Sequence, residues 1–211
     1  MPSTPARLSA AALITGSVVA TVGYAAAFAA NGNGDVRFTG SSWTGLYMIA
    51  LFGDVIVLLG LPALLAALGD RSRRLNLFGY VGLFVPLAVL NVGEGCVEGF
   101  VKPYLAKHGG IPKNDLPGLS AFELPAVVIM LVGMVCLGVA VWRAGTLPKW
   151  IAVAFVVVPF LGAGWLKDAA SLTPDYLLFA ALTAVGISVL RSSAPATAPV
   201  PAHAGAQAAL S

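Results

Sequence analysis

The feature that most constrains this chain is its division into six long apolar stretches separated by short polar turns. The stretches cover about residues 8–30, 43–68, 75–101, 120–142, 149–166 and 173–190. An α-helix needs about 20 such residues to cross hydrocarbon, and in that medium every backbone N–H and C=O must be satisfied within the segment. Only 10% of the 211 residues are charged, far below the roughly 25% of a soluble domain. The expected fold is therefore all-α, a polytopic six-helix transmembrane bundle with short loops. It forms one domain over 1–191, and a Pro/Ala-rich tail, 192–211, reads as disordered and without chemistry.

The first stretch ends in small residues, as a cleaved leader would. Its apolar core exceeds the usual ~7–15 residues of a leader, so the reading is an uncleaved span. The Gly/Asn/Asp/Ser turn at 31–42 lacks the spacing and terminal Glu of a calcium loop. Six spans put both termini on one side. Arg7, Arg71, Arg73, Arg74, Arg143, Lys149 and Arg191 collect there, against Arg37, Lys102, Lys107, Lys113 and Lys167 opposite. The balance favours cytoplasmic termini in a cell-membrane protein. No basic block suggests a nucleic-acid partner. Cys96 and Cys136 fall in apolar segments at different depths and read as packing residues, not as a disulfide.

The acids are distributed unevenly. Asp35, Asp115, Asp168 and Asp175 lie at the end opposite the termini, as do Glu94, Glu98 and Glu123. Asp54 lies about 11 residues into its span, roughly 16 Å deep at ~1.5 Å per residue. Only Asp70 lies on the side of the termini. An ionisable group at membrane depth costs about 2.5–3.5 kcal/mol on insertion scales, which makes it a functional hypothesis by default. The third stretch concentrates such groups. Helical spacing puts Tyr80, Phe84, Leu87, Asn91, Glu94 or Gly95, Glu98 and Lys102 on one face. Pro86 and the Gly93–Gly95 region are expected to bend this helix, and Pro103 to weaken it.

Each candidate has a structural reading beside the functional one. Glu98 and Lys102, four residues apart, suit a helix ion pair. Ser120 and Glu123 match a capping box. Asp168 and Asp175 suit solvated interfacial positions, and Asn91 suits a bond to a neighbouring helix. Asp54 and Glu94 have no nearby cation in sequence and are not caps. A carboxylic acid kept neutral in an apolar pocket can donate a proton, and that is the chemistry these two suggest. Trp43 and Tyr47 read as interface anchors. With Tyr80, Phe84, Phe122 and Trp165 they also offer π-faces that stabilise a cation. The expected site is an aromatic-lined acidic pocket opening away from the termini.

No histidine falls within a span, which disfavours a haem or His-metal site. No Ser-His-Asp set fits within the membrane, and no lysine lies mid-span for a retinal Schiff base. No phosphate-cradling glycine loop precedes a helix. Neither a metal nor another cofactor is expected.

The turn Trp142-Arg143-Ala144-Gly145-Thr146-Leu147-Pro148-Lys149-Trp150, with its apolar flanks, resembles a recurrent feature of uncharacterised multi-pass membrane proteins of high-GC bacteria. It implies no activity. In architecture, a small helical bundle with isolated carboxylates and aromatics resembles the integral-membrane terpene cyclases. That resemblance implies proton-initiated cyclisation of a lipid-soluble isoprenoid. Asp54 or Glu94 would be the acid, Glu98, Glu123 and Asn91 would tune it or accept the final proton, and Trp43, Tyr47, Tyr80, Phe84, Phe122 and Trp165 would bind the substrate. A proton-coupled solute transporter or a non-catalytic accessory protein would use the same acids as a relay or for helix packing.

Overall fold

The apolar stretches fold as helices because their own backbone bonds close without outside partners. A computed structural model describes residues 4–32, 34–69, 73–111, 119–161 and 173–192, and no strand occurs among them. Among the described residues six long helices form, α1 (Thr4–Asn31), α2 (Trp43–Leu68), α3 (Arg73–His108), α4 (Leu119–Ala144), α5 (Lys149–Leu161) and α6 (Thr173–Ser192), with a short 3₁₀ helix, Asp35–Thr39, between the first two. By length and composition α1, α2, α3, α6 and the Glu123–Ala144 part of α4 can cross a membrane. The described part of α5 has 13 residues. Its expected continuation to residue 166, the tail beyond 192 and Trp165 lie outside the described residues. The fold is a helical bundle of a membrane protein.

The helices close into a ring. α2 packs on α1, α1 on α6, α6 on α5, α5 on α4 and α4 on α3, and the distal part of α3 returns to α2. Lipid is as apolar as a leucine side chain, so hydrophobicity does not drive helices together within it. Small residues that allow backbones to touch do. α1 and α2 illustrate this. A Cβ on Gly23 would sit 2.6 Å from the Ala50 nitrogen, and one on Gly16 would sit 2.8 Å from the Gly53 carbonyl. Gly53 lies against the Ala20 backbone and Gly60 against that of Leu13, so the two helices run antiparallel. α3 and α4 use the same device, with Gly82 directly on Gly133 and Gly79 on Leu137. Gly186 of α6 meets Ala10 and Ile14 near the start of α1, which puts the N-terminal end of α1 beside the C-terminal end of α6.

α3 is the irregular member. Pro86 lies inside it, and beyond Pro86 the helix widens into π-helical turns over Leu87–Glu94 and again over Val97–Val101. The expected weakening at Pro103 does not end the helix, which continues through Lys102–His108. The ring nitrogen, which has no N–H, falls in the first turn after the π-helical segment, where its loss is tolerated. Cys96 is exposed on α3 rather than packed inside, and both cysteines are free.

Replacing Gly53 with Ala should destabilise the detergent-solubilised protein by about 1–3 kcal/mol, as overpacking does. Gly45, with nothing within 4 Å of its Cβ position, is the control on the same helix. Gly45→Ala should be neutral or stabilising by about 0.5–1 kcal/mol. Thermal unfolding followed by circular dichroism compares the two; equal effects would mean that α1 and α2 do not touch at Gly53.

Candidate functional site

The ring encloses a cavity of about 280 Å³ at the end away from the termini, and all six helices contribute to its wall. Its polar groups are Tyr24, Arg37, Tyr47, Asn91, Glu94, Glu98 and Asp175. Leucines of α3, Met130 and Met134 of α4, Val158 of α5 and Leu178 of α6 supply the apolar wall.

α3 delivers most of the chemistry. A π-helical turn advances less angle per residue than an α-turn, and such turns recur at functional sites. From Leu87 onward the face expected from sequence does line the cavity, through Asn91, Glu94, Gly95 and Glu98. Before Pro86 it does not. Tyr80 and Phe84 stack on each other, centroids 6.0 Å apart, outside the cavity wall, and Phe84 is 38% exposed. They do not line this cavity as the expected stripe would, because the 3.6-residue period does not hold across the whole segment. Leu83 and Pro86 face inward there instead.

Glu98 is held from several directions. Its carboxylate pairs with Arg37 at 3.0 Å and with Lys102 one turn on, the ion pair that the spacing allowed. Its backbone carbonyl has lost both helical donors. The Lys102 N–H bonds to Val97, and Pro103 has no N–H. The indole N–H of Trp43 donates to that carbonyl at 3.0 Å. Trp43 is 0% exposed and does not line the cavity, so it is packed inside the bundle rather than set as an anchor at the membrane boundary. A buried indole needs an acceptor, and the orphaned carbonyl provides one. Arg37 lies over the rings of Phe28, Phe38 and Trp43, at 5.0, 4.7 and 5.2 Å, which fixes the α1–α2 turn over the cavity.

Asp54 is 1% exposed and lies behind the cavity wall rather than on it. Tyr24, which is on the wall, donates its hydroxyl to Asp54 Oδ2 at 2.6 Å. Asp54 Oδ1 is buried with no hydrogen-bond partner among the described residues. Tyr47 packs against Tyr24 edge to face, centroids 5.2 Å apart, where Gly95 and Gly99 leave room for it on α3.

Glu94 differs from both. It is partly buried on the cavity wall and makes no hydrogen bond or salt bridge among the described residues. The carboxylates of Glu123 and Glu98 lie within electrostatic reach of it. Glu123 is partly buried but not part of the wall. The side chains of Ser120 and Phe122 lie outside the described residues, so the capping box and the Phe122 assignment rest there.

Three polar wall residues, Tyr24, Arg37 and Asp175, were not singled out as site residues from sequence. Tyr24 is a lone phenol deep in a span of small residues, and that depth was its signal. Arg37 is the only cation in a turn flanked by Phe38 and Trp43. Asp175 reads locally as a helix-start acid, and only the ring closure brings it to the cavity.

Compared with known proteins, the chain matches no family description, no curated protein and no solved structure.

Removing the phenol in Tyr24→Phe leaves Asp54 buried without its donor. Stability should fall by about 1–3 kcal/mol. Tyr24→Phe combined with Asp54→Leu should recover part of that loss, because neither polar group then remains. Additive losses in the double-mutant cycle would argue against the bond.

Proposed function

We propose that the cavity is the active site of an integral membrane enzyme that protonates an alkene of a lipid-soluble isoprenoid and cyclises it. The observation that carries this reading is the state of Glu94. Glu94 and Asp175 are the carboxyls on the cavity wall with neither a hydrogen bond nor a salt bridge among the described residues, and of the two it is Glu94 that has the Glu123 and Glu98 carboxylates within electrostatic reach. Glu98 is neutralised by two cations, and Asp54 reaches the cavity only through the Tyr24 hydroxyl.

Glu94 gives its proton to an alkene carbon, leaving a carbocation. The π-electrons of a second alkene form the new C–C bond. Loss of a proton from the cyclised cation to the Glu94 carboxylate restores the acid, so the product is an isomer of the substrate. Tyr24, Phe28 and Tyr47 present rings to the cation. Leucine, methionine and valine side chains limit the water that would quench it. Asn91 is placed to orient Glu94 or a polar group of the substrate. Asp54 acts through Tyr24 as a positioning residue. At about 30 Å³ per water, the cavity holds roughly nine water volumes. It therefore suits the reacting end of a prenyl chain, with the remainder extending into lipid. The termini are assigned to the cytoplasm and the cavity to the outer half of the cell membrane.

Membrane extracts carrying the protein, given linear prenyl substrates in D₂O, should yield a cyclic isomer with one deuterium in a C–D bond. Glu94→Gln should abolish that product. Asp54→Asn should lower it by about 10²-fold or less, within the ordinary range of acid-base effects. An unlabelled product, or full activity in Glu94→Gln, rules out protonation by Glu94.

A further inference from the structure

We infer that the basic end of the bundle carries a binding site for an anionic phospholipid, seated in a groove between the end of α2 and the start of α3. The groove is about 440 Å³ and is lined by Leu65, Ala66, Gly69, Arg73, Asn76 and Leu77. It lies at the opposite end of the bundle from the acidic cavity and does not depend on the function proposed for that cavity.

Three observations converge. The first is charge. Arg7, Arg73, Arg74, Arg143, Lys149 and Arg191 are all exposed at this end, and no acid lies there among the described residues. The antiparallel register of α3 on α4, set by Gly79 on Leu137 and Gly82 on Gly133, brings Arg73 level with Arg143. The second is depth. Trp142 and Trp150 are 53% and 47% exposed at this end, as aromatics at a headgroup boundary are, and Lys149 lies 5.1 Å from the Trp142 ring.

The third is the shape and chemistry of the groove. Arg73 stands at its polar end. Leu77 is exposed and continues into Phe78 and Val81, also exposed on the outer face of α3. The groove therefore pairs a cation with a surface that lipid tails already cover, which is the pattern of a phosphate joined to acyl chains. Its wall is fixed: Asn76 donates to the Gly69 carbonyl at 2.8 Å, and Thr146 donates to the Ala67 carbonyl at 2.8 Å. A free phosphate would use Arg73 but not Leu65, Ala66 or Leu77, so the occupant is the lipid.

The test is native mass spectrometry of the full chain in detergent, titrated with phosphatidylglycerol or with phosphatidylcholine of matched acyl chains. Phosphatidylglycerol should bind more tightly. Arg73→Gln should weaken it by about fivefold, the effect of one cation near an anionic surface, without changing phosphatidylcholine binding. Arg73→Lys should retain binding, and Ala66→Trp, which fills the groove without altering charge, should abolish it. Arg7→Gln removes an exposed cation outside the groove and should leave binding unchanged. Equal affinity for the two lipids overturns the proposal. So does an equal loss in Arg7→Gln and Arg73→Gln, which would mean diffuse attraction, or displacement of the lipid by inorganic phosphate alone.

Discussion

Backbone contact between α1 and α2 is the constraint on which the rest of this bundle depends. In lipid a helix gains nothing by hiding leucines from its surroundings, so association rests on close packing. Gly16, Ala20 and Gly23 on one helix meet Ala50, Gly53 and Val57 on the other at distances that no larger residue permits. That contact brings the phenol of Tyr24 to the carboxyl of Asp54. Hydrogen bonds between transmembrane helices contribute on average about 0.6 kcal/mol, whereas a buried ionisable group costs several times that. The glycine packing therefore holds the helices, and the Tyr24–Asp54 bond adds little to their association.

The second determinant is the departure of α3 from regular helix. Pro86 precedes the first π-helical segment, and Pro103 follows the second. Between them the wider turns present Asn91, Glu94 and Glu98 to one cavity. The same irregularity frees the Glu98 carbonyl, to which the Trp43 indole N–H donates. Arg37 and Lys102 then hold the Glu98 side chain. One defect in a helix thus draws in α2, the α1–α2 turn and the aromatic cluster around it. The acid one turn earlier, Glu94, stays on the cavity wall with no hydrogen bond or salt bridge among the described residues.

The two ends of the bundle are chemically opposite. Acids and a cavity lie at one, and cations with exposed tryptophans at the other. Such an asymmetry of charge is of the kind that orients chains across membranes.

Sequence alone determined the helical class, the positions of the apolar stretches, the shared end of the termini and the acidic half of the molecule. Length, hydropathy and charge are one-dimensional properties, and a bilayer converts them directly into helices and depth. It also pointed to Asn91, Glu94 and Glu98, which line the cavity because beyond Leu87 the inward face follows the expected stripe, and to Tyr47, which lines it from α2. Tertiary structure decided the rest. Tyr80 and Phe84 turned outward because the π-helical turns broke the period on which the helical wheel relied. Trp43 went inside because a proline five residues beyond Glu98 left a carbonyl unpaired. Tyr24, Arg37 and Asp175 joined the site only through contacts between helices distant in sequence. Such contacts depend on which small residues face each other, and no local pattern in the chain encodes that pairing.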